Sequence, residues 1–149
     1  MKYKILETSK SYAPLVLRMI LGSVVLMHGM QKLLGWFGGF GFYKTMLFFT
    51  ESVGLPWIMG FSVIMLETIG AIALIAGLGT RIVSLCYILL PLGMIFTTHL
   101  KNGFFMNWFG TLKGEGYEYF ILWIGMALAL FITGGGRYSV DRILLKRNG

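Results

Sequence analysis

Four long apolar segments constrain the fold of this chain more than any other feature. They cover residues 14–34, 56–78, 82–99 and 117–133. About 20 apolar residues in a helix cross the hydrocarbon layer of a bilayer, which is about 30 Å thick. The last two segments are short for that distance, but their aromatic and polar flanks can extend them. The pattern predicts an all-α integral membrane protein whose four spans form an up-down four-helix bundle.

Prolines and glycines mark the ends of these segments. Pro14 and Pro56 open the first two at the helix position where a missing N–H costs nothing. Pro91 lies inside the third segment and predicts a kink there. Residues 77–81 form a tight turn between the second and third segments, and the glycines at 134–136 end the fourth. We interpret residues 1–149 as a single four-span domain whose first span is retained, because it is too long for a signal peptide.

The charges predict the orientation of these spans. Charged residues make up 13% of the chain, against about 25% in an ordinary soluble domain, and the net charge is +7. The side that holds both termini carries Lys2, Lys4, Lys10, Arg81, Arg137, Arg142, Lys146 and Arg147, whereas the opposite loops carry Lys44, Lys101 and Lys113. Because basic residues collect at cytoplasmic ends, both termini are predicted to be cytoplasmic, in a bacterial cytoplasmic membrane. Basic stripes with solvated linkers are absent from the sequence, so no nucleic-acid partner is predicted.

The two predicted outer loops are rich in glycine and aromatic residues. They cover residues 36–56 and 102–119. Rings at this density belong at the level of the lipid headgroups, so both loops are predicted to hold interfacial segments. Residues 42–50 are predicted to form a short interfacial helix. The sequence leaves open whether the loops cover the outer end of the bundle as a lid or only anchor it.

Ionisable side chains inside apolar segments are the main candidates for function. His28 and Lys32 are four residues apart and share one helix face, with Arg18 on the same side of the helix. Charges within a span face the protein interior, because lipid cannot solvate them. Glu67, near the middle of the second segment, is therefore predicted to contact His28 or Lys32.

Five ionisable groups are predicted to converge on the outer half of the bundle, and they come from all four helices. They are His28, Lys32, Glu67, His99 and Glu118. Each has a structural alternative: Lys32 can snorkel to the interface, Glu67 can form a structural tie, and Glu118 can simply start a helix. Arg18 and Arg81 are predicted to be structural. The single cysteine, Cys86, excludes an internal disulfide, and no metal site is predicted.

Four short stretches form an ordered set of motifs. They read RMILGSVVLMHGMQKL at 18–33, LETIGAIALIAGLGTR at 66–81, TTHLKNG at 97–103 and GGGRYSVD at 134–141. This set resembles the DoxX family of small four-helix membrane proteins over nearly the whole chain. The terminal turn, which often reads Gly-Pro-Gly in that family, consists of three glycines here. The resemblance matches Arg18, His28, Lys32, Glu67 and Arg81 to motif positions without assigning their roles.

The resemblance implies redox work linked to a membrane quinone. Relatives in the family include the membrane subunit of a thiosulfate:quinone oxidoreductase, and others resemble partners of thiol-handling and superoxide-handling proteins. On this hypothesis Glu67 moves protons and His28 donates a hydrogen bond to a quinone carbonyl. Further ligand-binding candidates are Lys32, His99 and Glu118, with Trp36 and Trp108 covering the quinone ring.

Three other functions stay open at the level of sequence. A non-enzymatic adaptor or assembly subunit would recruit a soluble redox protein to the membrane. A haem held by His28 and His99 is disfavoured, because Lys32 crowds that position. Solute transport would require a homo-oligomer, since four helices enclose only a thin path.

Overall fold

The computed structural model describes residues 6–147, and that part of the chain is helical without strands. Six helices follow one another: α1 Ala13–Leu34, α2 Gly41–Leu47, α3 Trp57–Ala76, α4 Thr80–Asn102, α5 Glu118–Thr133 and α6 Val140–Arg147. Of these, α1, α3 and α4 are long and apolar enough to cross a membrane, and α5 is a shorter apolar helix. The prediction of an all-α membrane protein is confirmed. Lys2 and Lys4, which entered the charge argument, lie outside the described residues.

The helix ends follow the local signals of the sequence closely. Pro14 lies in the first turn of α1, which ends at Gly35 in the left-handed conformation with φ of 74°. Gly77 ends α3 in the same way, with φ of 71°. The largest difference is in α4, which begins two residues before the predicted segment and continues three residues beyond it. Pro91 lies inside α4, and the helix continues through it.

Three π-helical turns interrupt the α-helical geometry. They are Phe48–Ser52 after α2, Leu66–Gly70 inside α3 and Ile95–His99 inside α4. A π-helical turn contains an extra residue, so it rotates the side chains that follow and weakens the regular backbone bonding. Two of these turns carry Glu67 and His99, which are predicted site residues. Nothing in the apolar pattern predicted them.

Glycines on α1 allow it to approach α3 closely. A Cβ atom on Gly22 would lie 2.6 Å from the Ile75 side chain, and one on Gly29 would lie 2.5 Å from the carbonyl oxygen of Glu67. The contact pairs run in opposite directions along the two helices, so α1 and α3 are antiparallel. Gly77, at the end of α3, likewise allows Arg18 and Ser139 to pack closely against it. The glycines of α1 were not predicted.

The core lies between α1, α3, α4 and α5. Its most completely buried large apolar side chains include Leu21, Val25, Leu74, Tyr87, Trp123 and Leu130. The rings of Tyr87 and Trp123 pack edge to face, with centroids 5.5 Å apart, where α4 meets α5. Large apolar side chains also cover the outside, among them Ile69, Leu89, Leu122 and Ile132. An apolar exterior of this kind suits contact with lipid rather than water.

One end of the helix assembly, which we call the basic end, is closed by the segment after α5. Arg18 is only 2% exposed, and its guanidinium donates to four backbone carbonyls. They belong to Ile75, Gly135, Arg137 and Tyr138. Because residues 135–138 follow α5, this single side chain ties the beginning of α1 to the far end of the chain.

Asp141 and Arg81 complete the basic end. The buried carboxylate of Asp141 accepts the backbone N–H groups of Gly79 and Thr80 at 2.7 and 2.8 Å. It therefore caps the first turn of α4, where a negative charge is favoured by the helix dipole. Arg81 donates to the carbonyls of Glu7 and Phe131 at 3.1 and 3.0 Å. These contacts are the kind that a structural arginine makes.

Candidate functional site

A buried ion pair lies toward the opposite end, which we call the loop end because the two long loops are there. The Lys32 ammonium lies 2.5 Å from Oε2 of Glu67. Glu67 is 1% exposed, and the Lys32 side chain is 23% exposed. The predicted contact between Glu67 and the first span is thus confirmed. Since lipid cannot solvate either charge, the pair satisfies both groups at once.

Local structure fixes the position of Glu67. The residue lies in the π-helical turn Leu66–Gly70, and Gly29 of α1 packs directly on its carbonyl oxygen. Lys32 is three residues beyond Gly29, so it projects from nearly the same side of α1. The glycine contact brings the two backbones together at the depth where the charged side chains meet.

Tyr87 holds the π-helical turn from the other side. Its hydroxyl donates to the carbonyl of Leu66 at 3.1 Å. The π-helical turn that carries Glu67 is therefore held between Gly29 of α1 and Tyr87 of α4.

An aromatic row crosses the interior beside the pair. We define the row as His28, Tyr119, Trp123 and Tyr87. The ring centroids of His28 and Tyr119 are 6.3 Å apart, and those of Tyr119 and Trp123 are 6.1 Å apart. Trp123 in turn contacts Tyr87. His28 thus lies beside the pair and faces α5 through Tyr119.

Two donors in this row have no hydrogen-bond partner within residues 6–147. They are the hydroxyl of Tyr119 and the indole N–H of Trp123, and both atoms are buried. Buried polar atoms nearly always find a partner, so such atoms point to a bound molecule or to water. A ligand with two acceptor oxygens would suit donors on residues four apart on one helix.

The predicted residues His99 and Glu118 organise the outer loop. Nδ1 of His99 lies 2.9 Å from the carbonyl of Glu115, and its ring packs on Phe120 with centroids 4.6 Å apart. Oε2 of Glu118 accepts the backbone N–H of Met106 at 3.2 Å. Both side chains lie at the loop end, as predicted, but the structure does not bring them into contact with the Lys32–Glu67 pair.

The predicted ring-covering residues lie on the surface. Trp36 is 55% exposed and packs against Phe37, while Trp108 is 79% exposed. Neither side chain contacts the Lys32–Glu67 pair among the residues described. The inner aromatic positions are filled by Tyr87, Tyr119 and Trp123, which sequence reasoning missed. Their only signal was the spacing of Tyr119 and Trp123, four residues apart in an apolar segment.

Metal ligands do not cluster in the described part of the chain. Across residues 6–147, no group of three or more His, Cys, Asp or Glu side chains comes together. His28 and His99, the axial pair of the haem alternative, contact different aromatic residues of α5. The chemistry that this arrangement supports best is hydrogen bonding and proton transfer by a carboxylate, an ammonium, an imidazole and two phenols.

Comparison with known proteins identifies the family. The family model of DoxX matches residues 13–100, which is more than half of the chain. The chain belongs to the DoxX family. It is also similar to a protein of Bacillus subtilis (strain 168) named "Putative oxidoreductase CatD", with 34% identity over 137 residues. That similarity covers 91% of this chain and 90% of the relative. No solved structure matches the chain at a significant level.

The DoxX match confirms the resemblance that the motifs suggested. It runs from the start of α1 almost to the end of α4, so it includes Lys32, Glu67, His28 and His99. The match ends before α5 and therefore excludes Tyr119 and Trp123. Family membership and the apolar helices together establish an integral membrane protein in contact with the lipid bilayer.

Proposed function

We propose that this DoxX protein binds a membrane quinone beside the Lys32–Glu67 pair and takes part in its reduction or oxidation. The observation that carries the proposal is a complete ion pair, 2.5 Å long and with a 1% exposed carboxylate, inside membrane-length helices. Ionisable groups at such positions are costly and usually functional. The oxidoreductase name of the relative from Bacillus subtilis supports the same class of chemistry.

The residues present fit a quinone headgroup. Such a group carries two carbonyl oxygens on a flat apolar ring, so it needs donors at two places and an apolar surface between them. The Lys32 ammonium and the His28 imidazole supply donors on α1. The hydroxyl of Tyr119 supplies a donor on α5 that has no protein partner in the described structure.

Each of these side chains has a role in the proposed reaction. Reduction of a bound quinone to a quinol would take two electrons from a reduced soluble redox protein and two protons delivered through side chains of this protein. Glu67, ionised in the pair, takes up a proton and passes it to the reduced headgroup as a general acid–base group, and two such cycles deliver both protons. The Lys32 ammonium compensates the negative charge of the Glu67 carboxylate whenever that group is deprotonated. His28 orients the quinone headgroup by a hydrogen bond. It therefore contributes mainly to quinone binding and less to turnover.

The proposal also includes the finer topology. Four spans in an up-down bundle would place both termini in the cytoplasm of a bacterial cell, with the loop end on the outer side of the cytoplasmic membrane. The charge distribution carries this orientation. α5 has 16 residues, or about 24 Å of helix, so its aromatic flanks would complete the crossing.

A second candidate function is supported by the loop between α4 and α5. Trp108 and Phe109 are 79% and 89% exposed, and Phe105 is also exposed. An adaptor that recruits a soluble redox protein would use such a surface, and the ion pair would then be a structural tie. Contact with lipid headgroups would explain the same exposed rings. The quinone and adaptor functions therefore differ in what the protein binds, and the shape of the loop does not distinguish them.

Quinone binding and turnover test the proposal together. The protein is purified in mild detergent, and the bound lipids are extracted and identified by mass spectrometry. Glu67→Gln should keep the fold and quinone binding while lowering turnover with a soluble electron donor by about 10²–10⁴-fold. His28→Ala should weaken binding instead. Glu51→Gln, the same change at an exposed carboxylate of the loop end, is the control and should alter neither. If the wild-type protein neither retains nor turns over quinone, the adaptor function is the better supported of the two.

A further inference from the structure

Four buried polar atoms without protein partners lie on two neighbouring helices. In the described range, they are Oγ1 of Thr80, Oγ of Ser84, the hydroxyl of Tyr119 and Nε1 of Trp123. The first two belong to α4 and the last two to α5. Thr80 and Ser84 are fully buried, and Trp123 is 2% exposed. Such atoms are rare in native proteins, and four of them on one helix pair call for a common explanation.

Other hydroxyls of this protein satisfy themselves within their own helix. The side chains of Ser62, Thr68, Thr97, Thr98 and Thr133 each donate to the carbonyl four residues earlier, at 2.7–2.8 Å. Ser84 lies in the interior of α4, where the same bond to the Thr80 carbonyl is sterically available. Its hydroxyl makes no bond with the described protein. The Ser84 hydroxyl therefore points toward a hydrogen-bond partner on the buried face of α4. Water is a molecule small enough to be that partner.

The partnerless atoms lie at successive depths. Thr80, Ser84 and Tyr87 follow one another at spacings of four and three residues, so they form one buried stripe with steps of about 5–6 Å along α4. Trp123 packs against Tyr87, and Tyr119 is one helical turn closer to the loop end. The Tyr87 hydroxyl reaches the Leu66 carbonyl, next to Glu67. The stripe thus leads from the basic end to the ion pair.

The basic end covers the start of this stripe with glycine backbone and not with a large side chain. A Cβ atom on Gly135 would lie 2.7 Å from Oγ1 of Thr80, so the glycine packs directly against that fully buried hydroxyl. The Asp141 carboxylate binds the backbone N–H of the same threonine. The stripe therefore begins directly beneath the segment that closes the basic end.

We propose that the buried face between α4 and α5 holds a file of water molecules that connects the basic end with the Lys32–Glu67 pair. Ser and Thr hydroxyls both donate and accept, so they can continue a hydrogen-bonded chain between waters. The use of this file rests on the proposed quinone chemistry. For each proton that the reaction takes, the Glu67 carboxylate first accepts one from the adjacent water and then passes it on, and the water file regains it at the basic end. The net transfer is one proton, and only O–H bonds break and form.

The four tryptophans allow a test that requires no quinone. The protein is labelled with ¹⁵N in the indole ring and placed in nanodiscs, and the Trp123 signal is assigned by its loss in Trp123→Phe. Exchange of each indole proton with water is then measured by NMR. Trp123 is expected to exchange far faster than the backbone amides of the core around it, because the proposed water lies against its N–H.

Two variants on α4 test the direction of the path, and a third serves as the control. Thr80→Val exchanges a hydroxyl for a methyl group of the same shape, and Ser84→Val fills the stripe halfway along. Each is expected to slow exchange at Trp123 by about tenfold, because the path from the basic end is interrupted. Thr98→Val is the matched control on the same helix, since its hydroxyl is already bonded to Met94.

Each outcome decides the proposal. Slower exchange of the Trp123 indole proton in Thr80→Val, with unchanged exchange in Thr98→Val, supports the water file. If Ser84→Val does not fold, Thr80→Val alone decides. Trp123 as protected as its neighbouring amides would show a dry interface and overturn it. Fast exchange that ignores both α4 variants would show water arriving only from the loop end, which also overturns it. A protein that shows the water file but binds no quinone would refute the proposed function alone.

Discussion

Replacing Lys32 by methionine leaves the Glu67 carboxylate buried without its cation. Removing one partner of a buried ion pair costs about 3–5 kcal/mol, because the remaining charge is uncompensated. Lys32 is 23% exposed, so we expect the lower limit of about 3 kcal/mol. Glu67→Gln should cost less, about 1–2 kcal/mol, since the amide oxygen still accepts a hydrogen bond from the ammonium. The order of the two losses follows from which partner is the more deeply buried.

Cys86 provides the assay for this prediction. It is the single cysteine of the chain and is partly buried, so a thiol-reactive fluorophore in detergent reports unfolding as the residue becomes exposed. For a chain of about 150 residues, 1 kcal/mol changes Tm by about 2–4 °C, so Lys32→Met should lower Tm by about 6–12 °C. The double variant Lys32→Met/Glu67→Gln should melt above Lys32→Met alone, because it no longer contains a stranded charge.

The double-variant cycle also shows how the reasoning can fail. If Lys32→Met melts within about 1 °C of the wild type, the pair contributes too little for the cost of a stranded charge to be real. If the losses of the two single variants simply add in the double variant, Lys32 and Glu67 are not coupled. Either result would also remove the electrostatic basis of the proposed site.

The remaining predictions concern packing, orientation and cofactor content. Gly29→Ala should lower Tm by several degrees because its methyl group meets the facing backbone, whereas Gly93→Ala, with open space around it in the described structure, should raise Tm slightly. Arg18→Met should destabilise the protein by about 3 kcal/mol or more, measured by the same thiol assay, because four carbonyls lose a charged donor. Cysteines introduced at Lys44 and Lys113, with Cys86 replaced, should react with a membrane-impermeant reagent from outside the cell, and reaction only from the cytoplasm would reverse the topology. The purified protein should show no Soret band, and a stoichiometric haem spectrum would favour the two-histidine alternative.

The ion pair could be predicted from sequence because the bilayer leaves few choices. A glutamate in the middle of an apolar segment must find a cation or a proton, and Lys32 was available at a comparable depth. The helix bounds were predictable for a related reason, since prolines and glycines act locally. The charge argument needed no knowledge of side-chain geometry, only of which helices are neighbours.

The aromatic row and the π-helical turns could not be predicted in this way. Trp36, Trp108 and Trp123 look alike in composition, yet two of them are exposed and one is buried, because only the packing of α4 on α5 selects the inner ring. The turn Leu66–Gly70 rotates Glu67, and no proline marks its position in the sequence. His99 and Glu118 were predicted at the correct end of the protein, but their hydrogen bonds depend on the path of the outer loop.

Arg18 also sets an order of events during synthesis. Three of the carbonyls that receive its N–H groups belong to residues that are between 117 and 120 positions later in the chain. At about 5–20 residues per second, a ribosome needs about 6–24 s to make that stretch. During this interval the nascent first helix resides in the bilayer with its guanidinium only partly satisfied. A chain that stops before Gly135 keeps that cation only partly satisfied at a helix interface. Translation errors late in the message therefore produce a product that proteases of the membrane can distinguish from the finished one.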